Sequence, residues 1–246
     1  MKIKYFFTLS LLVLLIAFLV FYSYFSLFLG YELSDKVSDW VDFSDYINGV
    51  TTPILSFISI VLLIHSLNLQ NEANSSLRSE IKQGELSEKM RMFESYFFNM
   101  IDSQRKCSSD FKVNDRSDRN KLYFGIDGVI EVERIIADLR NNGYSDKDIS
   151  EAIEDMDYNE CIYNSLRVFN NIFKVICSRL SDEEGFSIKQ RKEQMVLLIN
   201  FTEFYQFRLI LICMQFLSDY PASESMSENS EFLEVLSKLG VDINPY

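Results

Sequence analysis

Two stretches of this chain carry no charge. No Asp, Glu, Lys or Arg lies between Lys4 and Glu32, and none between Asp45 and Glu72, gaps of 27 and 26 residues. A helix needs roughly 20 predominantly apolar residues to cross the hydrocarbon core of a bilayer. The hydrophobic fraction of the whole chain, 48%, is ordinary; its concentration in these two runs is not. The first run is almost pure Leu, Phe, Val, Ile and Tyr, and its insertion free energy sums to roughly −5 kcal/mol. The pattern predicts two transmembrane helices, at about residues 5–29 and 50–69. A cleaved signal peptide fits less well, because the apolar run is long and no A-x-A-like site follows it.

Orientation follows from the placement of Lys and Arg. Lys2 and Lys4 precede the first run, and Arg78, Lys82, Lys89 and Arg91 follow the second. The stretch between them, with the loop proper at residues 31–48, holds Glu32, Asp35, Asp39, Asp42 and Asp45 against Lys36 alone. Both termini are therefore expected in the cytoplasm, with a short acidic loop outside. Asn48-Gly49 reads as the turn out of that loop. Pro53 reads as a first-turn proline marking the start of the second helix.

Beyond residue 70 the periodicity predicts helices only, so the fold class is all-α: a transmembrane hairpin (1–70), a connector helix (71–105) and a cytoplasmic helical domain (106–246). Met90, Phe93, Phe97 and Met100 recur at three-to-four spacing, on a helix running on from the second span and weakened near Gly84. Two arrangements fit it: a stalk that pairs with copies of itself, or an amphipathic helix folded onto its own domain. Further helices are expected at about 122–141, from the Ser145/Asp148 capping box, through Ile162, Leu166, Phe169, Phe173 and Ile176, and at 230–239. A long one should run from the Ser187/Gln190 capping box to about Leu217. That last run is long enough to span a membrane. Glu203 and Arg208 near its centre would each cost about 2.5–3.5 kcal/mol there, which favours a buried helix of a folded domain.

Chemistry is sparse. His65 is the only histidine, so neither a histidine triad nor a multi-histidine metal site is available. It reads as a packed or interfacial side chain, or as a proton-sensitive gate. Cys107, Cys161, Cys177 and Cys213 form no C-x-x-C pair and read as reduced, buried thiols. The stretch EAIEDMDYNE lacks the glycine and ligand spacing of a calcium loop. GIDG (125–128) lacks the Lys-Ser/Thr of a phosphate loop. Basic clusters occur at Arg116, Arg119 and Lys121 and at Lys189, Arg191 and Lys192. The region after Leu69 nonetheless carries 21 basic and 31 acidic residues, a net of −10, which argues against general nucleic-acid binding. No enzyme, cofactor or metal is expected.

The apolar runs hold a finer pattern. Thr52, Ser56, Ser59, Leu63 and Ser66 share one helix face, and Ser23, Ser26 and Gly30 make a shorter stripe at the end of the first run. Small hydroxylated residues let membrane helices approach closely. The stripe serves either plain hairpin packing of the two helices, or a contact between protomers or the wall of a water path in a homo-oligomer.

The stretch WVDFSDYINGVTTPILS resembles the signature of the phage abortive infection protein family, the AbiC-like membrane proteins, at Trp40, Asp42, Phe43, Asp45, Gly49, Pro53, Leu55 and Ser56. FESYFFNMI, with Phe93, Phe97 and Phe98, is similar to that family's aromatic motif. Val41 and Ser44 stand where the family has glycines, and Thr52 where it has asparagine. The later helix YNSLRVFNNIFKVI lacks the family's histidine. The resemblance implies an antiphage effector of the bacterial inner membrane that permeabilises or depolarises the bilayer. Similar two-span proteins act as retron effectors restrained by a reverse transcriptase with its RNA–DNA hybrid, so such an inhibitory partner is implied too. The alternative is a membrane-anchored sensor or adaptor that leaves the bilayer intact.

Overall fold

The computed structural model describes residues 3–27, 35–118 and 120–246. Lys2, Gly30, Glu32 and Arg119, on which some of the expectations above rest, lie outside the described residues. The chain divides into two compact units, Met1–Glu80 and Ile81–Tyr246. It is mostly helical, with one minor sheet.

In the first unit, α1 spans Ile3–Leu27, and α2, Val37–Ser109, begins well before residue 50. Residues 37–48 are thus the first turns of a helix, not a loop, and Asn48-Gly49 makes no turn. The reason is visible in the spacing. Trp40, Phe43 and Tyr46 recur at three, which stacks them on one helical face, and Asp39 in the first turn complements the helix dipole. Pro53 therefore sits inside α2, where it removes one backbone hydrogen bond without ending the helix. Gly84 does not interrupt it either.

In the second unit the remainder of α2 is amphipathic. Phe93, Phe97, Ile101, Gln104 and Ser108 form its buried face, so this part of the helix packs on its own domain. A hairpin follows that the periodicity missed: β1 (Lys112–Asn114) pairs antiparallel with β2 (Leu122–Phe124), Val113 opposite Tyr123. Its turn is organised by the Asp115 carboxylate, which accepts from the Ser117 amide at 2.8 Å and the Asp118 amide at 3.2 Å. The helix expected from Leu122 begins instead at Gly125: α3, Gly125–Asn141. The two glycines of GIDG have structural work here. Gly125 turns the chain at φ 52°, and a side chain on Gly128 would meet the Phe111 ring at 3.0 Å and the Tyr123 carbonyl at 3.2 Å.

The next helices are α4 (Asp146–Met156), α5 (Cys161–Arg179), α6 (Ile188–Phe201), α7 (Phe204–Phe216), α8 (Pro221–Ser227) and α9 (Ser230–Lys238). Both expected capping boxes are present, Ser145 with Asp148 and Ser187 with Gln190. Pro221 opens α8 at its first position, where its missing N–H costs nothing. The long helix expected to Leu217 is broken. Thr202 and Glu203 are extended (ψ 132° and 136°), and α6 and α7 meet at 115°. Thr202 Oγ donates to the Leu198 carbonyl at 2.7 Å and accepts from Gln104 Nε2 of α2 at 3.0 Å, so the break is tied down from both sides.

Helix α7 is the axis of the unit. Leu209, Ile210, Leu211, Ile212, Cys213 and Met214 are consecutive and all buried, because α3, α4, α5 and α8 pack around it. Each large apolar side chain buried there contributes about 1.5–3 kcal/mol. The Arg208 that argued against a third span is half-buried at the domain edge, 3.1 Å from Glu133 of α3.

Candidate functional site: a bare apolar helix segment

The feature that sets this chain apart is residues 50–69 of α2. Val50, Ile54, Leu55, Phe57, Ile60, Val61, Leu62, Leu63, Ile64, Leu67 and Leu69 are all exposed, Phe57 to 69%. They point to every side of the helix, and none of the apolar window is buried. At 1.5 Å per residue, 20 residues rise about 30 Å, the thickness of a bilayer core. An aqueous helix keeps its apolar residues to one face; one that is apolar all round requires an apolar surrounding. By length and composition α2 contains a segment able to cross a membrane.

Of the residues singled out in the sequence, Thr52, Ser56, Ser59 and Ser66 lie on one exposed face of this segment, and His65 is exposed beside them. Ser59 Oγ donates to the Leu55 carbonyl at 2.8 Å. Its hydroxyl is thereby satisfied within the helix and compatible with an apolar surrounding. In α1, Ser23 does the same to the Val20 carbonyl at 3.0 Å, and Ser26 is half-buried. The two serine stripes do not meet each other among the described contacts.

What meets is aromatic, and half of it was missed in the sequence. Tyr24 of α1 lies 5.0 Å from the ring of Phe43 and 5.5 Å from that of Tyr46, and Phe21 lies edge-on to Phe43 at 5.7 Å. The Tyr24 hydroxyl reaches the Asp39 carbonyl at 3.4 Å, and Trp40 packs edge-on to Phe43 at 6.2 Å. Phe43 and Tyr46 are thus contact residues between α1 and the start of α2, Trp40 packs on Phe43 within α2, and Asp42 and Asp45 are exposed. The signal for Phe21 and Tyr24 was available: both lie on the last turns of the first apolar run, opposite the aromatic period of the second.

The other aromatic motif serves the second unit. Phe93 and Phe97 stack at 5.7 Å in its core, and Phe98 reaches Phe201 edge-on at 5.7 Å. The basic cluster near residue 190 is largely spent on internal pairs. Arg191, with a side chain only 9% exposed, binds Glu231 through Nε and Nη2, both at 2.7 Å, and donates to the Leu180 carbonyl at 2.7 Å. Lys192 pairs with Glu234 at 2.6 Å.

The four cysteines are free. Burial pushes the Cys177 thiol up to about 11 and raises those of Cys107 and Cys213, which keeps them protonated. Asp157 is half-buried at the end of α4, where its carboxylate accepts from the Ile162 and Tyr163 amides of α5 at 2.8 and 2.9 Å; desolvation raises its pKa. Among the described residues no group of three or more His, Cys, Asp or Glu is placed to hold a metal ion. No protein-family model, curated protein or solved structure matches this chain.

Proposed function

We propose that this protein is a membrane effector that acts on the bilayer itself. In this reading α1 and residues 50–69 of α2 cross the inner membrane as a hairpin, with the unit Ile81–Tyr246 in the cytoplasm. The observation that carries it is the bare apolar segment of α2, none of whose apolar window is buried among the described residues. The serine face supplies the place where neighbouring copies approach, and its self-bonded Ser59 tolerates lipid before they do. Such a mechanism needs no catalytic residue. The resemblance of residues 40–56 and 93–101 to AbiC-like proteins supports a role in abortive infection, in which a partner restrains the effector until infection. A reverse transcriptase with its RNA–DNA hybrid is one such partner.

The test is expression in bacteria carrying a membrane-potential dye. Full-length protein without its restraining partner should depolarise cells, and a chain lacking Met1–Glu80 should not. Normal potential with the full chain in the membrane would establish the adaptor reading instead. Toxicity of the truncated chain would point to a soluble activity.

A further inference from the structure

Residues 89–96 of α2 and the turn between α5 and α6 enclose a cleft of about 340 Å³ lined by Lys89, Met92, Phe93, Tyr96, Arg179 and Glu184. That size falls at the lower end of the roughly 300–1,000 Å³ of small-molecule sites. Phe93 is buried and forms the floor. Met92 and Tyr96, one helical turn apart, stand at the rim 58% and 55% exposed. A flat aromatic face and a thioether beside an apolar floor offer a stacking surface for a planar ring.

The charge of the cleft runs against that of the chain. Lys89 Nζ is 2.8 Å from Glu184 Oε2. Arg179 makes no ion pair within 4 Å among the described residues, although its charge acts on Glu184. Two cations thus face one carboxylate, on a protein of net charge −12. Arg179 lies in the last turn of α5, where a cation complements the helix dipole. That accounts for the charge alone, not for its juxtaposition with a cleft and two exposed ring-binding side chains. A guanidinium presents a planar fork suited to phosphate, and an ammonium adds a point charge.

We propose that this cleft binds a small phosphate-bearing aromatic molecule of mononucleotide size, its ring on Tyr96 and Met92 and its phosphate between Arg179 and Lys89. Glu184 is then a built-in competitor, since the incoming anion must share Lys89 with it. The site does not depend on the membrane reading; either can fail without the other.

The experiment is isothermal titration of the full chain in detergent micelles with AMP, GMP, CMP and UMP, and with adenosine and inorganic phosphate as part-ligands. At least one nucleotide should bind, with its nucleoside and phosphate each about 10-fold weaker or more. Base–aromatic stacking of ~1–3 kcal/mol corresponds to a loss of about 5–150-fold on Tyr96→Ala. Arg179→Gln should weaken binding at least 10-fold, whereas Glu184→Gln should tighten it. Circular dichroism and urea midpoints establish that each variant is folded, and the gain expected for Glu184→Gln is one that damage to the fold would not give. Absence of binding by all four nucleotides at millimolar concentration would overturn the proposal. So would phosphate binding as tightly as the nucleotide, or weaker binding by Glu184→Gln.

Discussion

Arg191 is the best place to test the packing of the helical unit. Its guanidinium joins three elements: α6, which carries it, α9 through Glu231, and the end of α5 through the Leu180 carbonyl. Arg191→Ala leaves the Glu231 carboxylate without its bidentate partner and takes a donor from a fully buried carbonyl. Removing one member of a buried pair costs about 3–5 kcal/mol. Glu231 is 23% exposed and can recover some hydration, which sets the expectation near the lower bound, about 3 kcal/mol. At roughly 2–4 °C per kcal/mol for a domain of this size, the midpoint should fall by about 6–12 °C. Arg191→Lys keeps the charge but not the fork, and should lose about half as much. Lys192→Ala breaks a more exposed pair and should cost no more than about 1 kcal/mol. The single tryptophan, Trp40, lies outside this unit, so tyrosine bands in the near-ultraviolet are the probe, followed through urea and heat. A loss below 1 kcal/mol in Arg191→Ala, or an equal loss in Lys192→Ala, would refute the reasoning.

Gly128→Ala should destabilise the unit by about 1–3 kcal/mol, read from the urea midpoint, because the added methyl meets the Tyr123 backbone as well as the Phe111 ring. Stability should fall on acidification. The amide of Ser117 and Lys121 hold Asp115 at about 2, Lys192 and Lys238 hold Glu234 at about 2, and Arg191 lowers Glu231. Depressed carboxylates contribute fully above their unfolded values near 4 and lose that contribution as pH falls through the folded ones, so melting points should drop between about pH 4 and 2. Ser59→Leu, which fills the serine face, should reduce crosslinked oligomer and depolarisation while leaving membrane insertion intact, with Ile60→Leu as the tolerated control. A reporter fused after Tyr246 should be active only as a cytoplasmic probe; a periplasmic signal would overturn the orientation.

Features written in adjacent residues were legible in the sequence. Ser145 with Asp148 and Ser187 with Gln190 cap their helices within four positions, and both were readable. The bare segment was legible for the same reason, since 20 consecutive uncharged and mostly apolar residues need no partner to be recognised. The elbow at Thr202 was not, because its decisive contact comes from Gln104, 98 positions away, and the local sequence around it is helix-compatible. Strands β1 and β2 are three residues each, too short for alternation to register. The start of α2 was misread because Asn48-Gly49 carries a strong turn signal, while the aromatic period that overrides it gains meaning only once Phe21 and Tyr24 stand opposite.

The two apolar stretches after residue 45 make the same point about function. Residues 50–69 and the run through α6 and α7 are both long enough to cross a bilayer, and composition barely separates them. Coverage does. Around α7 the fold supplies α3, α4, α5 and α8, and it gives Arg208 a carboxylate on α3, so the apolar side chains of the segment are covered where they are. Around residues 50–69 the described residues leave the apolar window unburied. In the proposed reading such a segment finds its surroundings in lipid or in copies of the chain. Ser59 is suited to either, because its hydroxyl is already spent on Leu55.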